Sequence, residues 1–113
     1  MIKERVKILL KQGVISEEVA IYSNNALAYL LEKQFVEEKL VVYLTHLSMA
    51  SQRVIDGKTC EQMPESILSE LQDNDYYSEA VDLNEAIMNL GTINFPTQEI
   101  DYFILHLVNV LAN

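Results

Sequence analysis

Tryptophan is absent from this chain of 113 residues, and glycine (3), proline (2), histidine (2) and cysteine (1) are scarce. Few glycines and prolines mean few enforced turns, which excludes collagen-like and loop-rich low-complexity chains and favours long regular elements. The single cysteine, Cys60, excludes an internal disulfide and agrees with a reducing compartment. No apolar run approaches the roughly 20 residues of a membrane-spanning helix. The N-terminal stretch MIKERVKILLKQG has neither the apolar core nor the cleavage site of a signal peptide. A cytoplasmic protein without membrane contact is expected. Positive charge is also short, with 8 Lys and Arg against 17 Asp and Glu and a net charge of −9. Direct nucleic-acid binding is not expected, because it depends on neutralising phosphates. The one basic cluster, Lys3, Arg5, Lys7 and Lys11, has Glu4 in its midst and no interleaved aromatic residue.

What is present is apolar and helix-favouring. Half of the residues are hydrophobic, and the length suits one domain with one core. No strand-like alternation or internal repeat stands out, so the expected class is all-α. A first segment spans about Ile2 to Lys11 and is interrupted by Gly13. Residues 1–15 form an N-terminal helical segment, and 16–113 a helical bundle. Ser16 has the character of an N-cap, with Glu17 and Glu18 placed to favour the positive end of the helix dipole. That second helix is expected to reach about Gln34, its core face made of Val19, Ala26, Leu27, Leu30 and Leu31. A third runs from about Val36 to Ile55, ended by Asp56-Gly57, with Gly57 suited to a left-handed position. Pro64 opens a short helix to about Leu71. Another covers about Ser78 to Leu90, and the last begins near Pro96 or Thr97 and ends near Leu111. Met49, Met63 and Met88 are expected as gap fillers.

The two histidines each interrupt an apolar helical run, His46 in LVVYLTHLSMASQR and His106 in IDYFILHLVNV. Arg53 follows His46 by seven residues, about 20° round the helix, and leans back toward it. Glu99 and Tyr102 precede His106 by seven and four residues on the same side. Spacing thus offers a guanidinium to one imidazole, and a carboxylate and a phenol to the other. Three roles are open at this point. Each histidine can be a half-buried core residue satisfied by a hydrogen bond. Together with Glu99 or Asp101 they can ligate a metal, although no HExxH, paired ExxH or Cys/His cluster is present. Or the unprotonated ring nitrogen can attack a phosphoryl donor, since histidine titrates near neutral pH.

The segment LTHLSMASQRVIDGK, followed some fifty residues later by INFPTQEIDYFILHLVNV, resembles the PRD, the phosphotransferase-system regulation domain of bacterial antiterminators and operon activators. The first signature is carried by His46, Arg53 and Gly57, the second by Pro96, Glu99, Tyr102, His106 and Asn109. The resemblance implies a bundle of about five helices in two antiparallel pairs. It implies that His46 and His106 accept phosphoryl groups, with Arg53, Glu99, Tyr102 and Asn109 supporting them. It also implies a homodimer with the histidines near its interface, regulating transcription. The donors would be phosphotransferase-system phosphocarriers, HPr or a sugar-specific enzyme II component.

No effector domain of the full regulators is expected beside this bundle, because fifteen leading residues are too few for one. The resemblance is to a free-standing PRD acting through dimerisation or a partner regulator, with no cofactor, no metal and no enzymatic turnover. A phosphoryl group would add nearly two negative charges. Arg53 is expected to pair with it at His46 and Glu99 to repel it at His106, so that the two sites bias the dimer in opposite directions. The alternative is a structural protein–protein interaction module whose histidines stay unmodified.

Overall fold

A computed structural model describes residues 1–112. It contains six helices and, among the described residues, no strand: α1 (Ile2–Lys11), α2 (Glu17–Glu32), α3 (Glu37–Ile55), α4 (Glu65–Gln72), α5 (Tyr77–Met88) and α6 (Thr97–Ala112). The all-α class follows from composition, and the boundaries follow from local chemistry. The Ser16 hydroxyl accepts the Val19 N–H, satisfying one of the first-turn donors of α2. The Ser16 backbone N–H in turn donates to Gln52 Oε1 at 2.7 Å, tying the start of α2 to α3. Gly57 follows α3 with φ +74°, the left-handed turn expected there. The end of α2 differs from expectation. The helix stops at Glu32, and Gln34 takes the left-handed conformation at φ +72°, so that Phe35 N–H can bond back to Leu30 C=O. A non-glycine residue there carried no turn signal.

α3 is the central element. It packs on α1, α2 and α6, while α5 packs on α6 and α1 on α2. The core seam runs through Val19, Leu27 and Leu30 of α2, Leu40, Tyr43, Leu44 and Leu47 of α3, and Phe103 and Leu107 of α6. The N-terminal segment contributes to the same cluster, because Ile2 and Val6 of α1 are buried in it. The α2–α3 contact is partly polar. Ser48 Oγ donates its only proton to Leu44 C=O, so in its 2.6 Å bond with Ser23 the Ser23 hydroxyl must be the donor. Some expected core positions lie outside the core. Leu31 is 40% exposed and Met49 38%, both turned to solvent on helices whose other faces already fill the interior.

Candidate functional site

α3 and α6 lie side by side and carry one histidine each. His46 immediately precedes the fully buried Leu47, and His106 the fully buried Leu107. One residue is about 100° of helix, so each imidazole sits beside the core seam, half-buried. The packing brings the two rings together, with centroids 4.7 Å apart and planes inclined by 46°. Phe103 presents an edge-to-face contact to His46 at 5.7 Å, and the Tyr102 ring lies 6.2 Å from the same imidazole. The Nε2 atom of His46 is sealed from solvent without a hydrogen-bond partner.

Burial and the neighbouring His106, with a smaller push from Arg53, lower the His46 pKa to about 4 against the opposing pull of Glu99. Burial also lowers that of His106. A protonated ring here would sit half-desolvated beside a second imidazole. His46 is therefore neutral at physiological pH, and burial biases His106 the same way. A neutral imidazole keeps a ring-nitrogen lone pair for nucleophilic use.

The charged residues are arranged differently from the within-helix pairing that spacing suggested. Arg53 donates to Glu99 across the α3–α6 interface, Nε to Oε2 at 2.8 Å and Nη2 to Oε1 at 2.9 Å. Glu99 is 0% exposed and the Arg53 side chain 29%. A carboxylate withdrawn from water needs a full counter-charge with matched geometry, and the planar guanidinium fork supplies it. Burial works to raise the Glu99 pKa. The Arg53 hydrogen bonds and charge overcome it and hold the carboxyl below its ordinary range. Glu99 also bears on His46, whose protonated form it favours. Arg53 and Glu99 thus meet each other across the interface, instead of each facing only the histidine of its own helix. Cation and anion form one neutral pair beside His46.

Cys60, which the sequence showed only as an unpaired cysteine, lies near this pair. Burial, together with the nearby Glu99 carboxylate, pushes the pKa of its thiol up, keeping it a thiol. His46, Arg53, Thr59, Cys60, Glu61 and Tyr102 line an open recess of about 410 Å³. Of the six residues singled out by sequence, His46, Arg53 and Tyr102 line it, Glu99 lies beneath it, and His106 abuts His46. Asn109 is exposed one turn beyond His106 and does not line it. Phe103 and Cys60 were the residues that sequence reasoning missed. Phe103 reads as core, and no helical periodicity connects Cys60 to Arg53 across the chain reversal after α3. Among the described residues, no group of three or more His, Cys, Asp and Glu side chains is placed to hold a metal ion.

Two helices thus bring paired, half-buried imidazoles together beside an Arg–Glu bridge in an all-helical domain. The PRD domain family model matches residues 22–110, nearly the whole chain, and the chain belongs to that family. Membership gives it a general regulatory role in the phosphotransferase system. No curated protein and no solved structure matches it. No helix among the described residues is long and apolar enough to cross a membrane.

Proposed function

We propose that this domain is a phosphohistidine-accepting sensor of the bacterial sugar phosphotransferase system. In this reading it works in the cytoplasm and passes its state on through dimerisation or a partner regulator, without catalytic turnover. Its helix pairs α2–α3 and α5–α6 are taken as antiparallel. The observation that carries the proposal is the convergence of His46 and His106 at 4.7 Å on α3 and α6, beside a recess that already contains a guanidinium. A neutral imidazole nitrogen attacks the phosphorus of a phosphohistidine on HPr or an enzyme II component. The donor N–P bond breaks, its electron pair returns to the donor ring, and a new N–P bond forms on the acceptor. The second ring nitrogen of the acceptor keeps its proton.

The test is incubation with the phosphorylated general phosphocarrier, followed by mapping of acid-labile phosphate. Label on His46 or His106 is expected, and absence of label on both would remove the proposal. One observation favours the second reading, a purely structural interaction module: His46 Nε2 is sealed from solvent, so attack through it requires the ring to swing outward. That reading predicts that a regulator binds His46→Ala and His106→Ala variants as tightly as the unaltered chain.

A further inference from the structure

The recess beside His46 contains a cation, but that cation is already in use. Two of the five N–H groups of Arg53 are committed to Glu99. The other three make no hydrogen bond within the described residues, although the side chain lines the recess. Glu99 is the buried member of the pair, at 0% exposed. It belongs to the first turn of α6, Arg53 to the last turn of α3, and Cys60 to the connector that follows. One bridge therefore fastens the end of α3 to the start of α6.

We propose that Arg53 is an oxyanion site whose resident anion is Glu99, and that a phosphoryl group on His46 displaces Glu99 from it. This deepens the reading of His46 as an acceptor and rests on it. The charge balance drives the exchange. Before modification, one guanidinium matches one carboxylate. Afterwards a phosphoryl group that itself carries nearly two negative charges, on a ring that keeps its proton, competes for the same cation, and Coulomb attraction favours the more highly charged anion. Glu99 then keeps only the positive end of the α6 dipole, a weaker partner than a guanidinium. An unpaired buried carboxylate is costly, so the start of α6 and the connector must shift or Glu99 must take up a proton. Either outcome converts a charge on His46 into a change of packing on the α3–α6 face. Glu99 and Arg53 act here as positioning residues, and the ligand class is a tetrahedral oxyanion borne on an imidazole.

The Arg53 side-chain Nε–H resonance in nitrogen-15 NMR reports the bridge directly, with Glu99→Ala fixing its position when the bridge is absent. Two arms are compared with the unmodified chain. In the first, the protein is phosphorylated with phosphoramidate, and phosphorus-31 NMR identifies the labelled ring. In the second, His46→Glu places a fixed negative charge at the same position, with His46→Gln as its neutral control and circular dichroism as the check on folding. The resonance is expected to leave its unmodified position in the His46-labelled chain and in His46→Glu, and to stay in place in His46→Gln. A resonance unmoved in the His46-labelled chain overturns the displacement while leaving His46 as an acceptor. If no label enters but folded His46→Glu moves the resonance, the acceptor reading falls and the competition for Arg53 stands. No label together with an unmoved His46→Glu resonance overturns both.

Discussion

At the scale of single residues, the site is distinguished by what its polar atoms lack. The His46 pKa is lowered to about 4, burial being the main cause, and burial lowers that of His106. Both titrate nearer 6.5 in an unfolded chain, so below that pH the unfolded state binds more protons and folding loses free energy. The contribution is intact above pH 6.5, drains away as pH falls toward 4, and is constant below that. Glu99 acts in the same direction at lower pH, because its depressed pKa gives stability that disappears as the folded carboxyl protonates. The groups facing the rings are Arg53 and Glu99, with Tyr102 alongside. Unfolding free energies from urea titrations should fall by roughly 1–2 kcal/mol between pH 7.5 and 4.5, less than a fully buried ring would give. A His46→Gln variant should flatten much of that slope. Tyr43 supplies a contrasting test. Its hydroxyl is buried with no hydrogen-bond partner, so Tyr43→Phe removes a desolvated group without breaking a bond. It should raise stability by about 1 kcal/mol, seen as a higher urea midpoint at unchanged slope.

At the scale of elements, the connectors are more constrained than their sequences indicate. Gly91, just beyond α5, lies flat against the Tyr22 ring. A Cβ there would come within 2.7 Å of ring carbons Cδ1 and Cε1. Tyr22 in turn donates its hydroxyl proton to Ile87 C=O at 3.0 Å, joining α2 to the end of α5. Gly91→Ala should push the ring away and strain that bond, costing roughly 1–3 kcal/mol in denaturant unfolding. Gly57→Ala meets open space and pays only the left-handed backbone cost, about 1 kcal/mol. Gly57 was legible as the left-handed stop of α3, whereas no period or cap signals the fit of Gly91 against Tyr22. The same divide runs through the rest of the molecule. Helix spans, the Ser16 cap and the histidine-bearing faces follow from periods and caps that act within a few residues. The Arg53–Glu99 bridge joins residues 46 positions apart, and nothing within either helix specifies it. Spacing placed each charge beside the histidine of its own helix. Only the α3–α6 packing shows that the two charges find each other first, because a carboxylate as buried as Glu99 cannot stay unpaired.

At the scale of the whole molecule, charge and apolar surface are segregated. The first fifteen residues hold four of the eight basic groups and one of the seventeen acidic ones, so the remainder is strongly acidic. On α3, Val42 (66% exposed) and Met49 (38%) flank His46 by four and three residues and form an apolar strip along the face that carries the imidazole. The proposed homodimer would cover this strip and set the two imidazoles at its rim. Two consequences separate it from a contact made through α1. Association through the strip is apolar and joins two chains of net charge −9, so added salt should screen their repulsion and tighten the dimer. Association of the basic α1 face with the acidic remainder of a second chain should weaken with salt. Sedimentation equilibrium at 50 and 500 mM salt, on the order of one Debye-length regime apart, distinguishes the two by sign alone. Val42→Asp should then weaken a strip-mediated dimer at least tenfold, about 1.4 kcal/mol, because it places a carboxylate in the centre of the contact. A dimer that persists unchanged in that variant, or dissociates as salt rises, would locate the interface elsewhere and detach subunit assembly from the histidine pair.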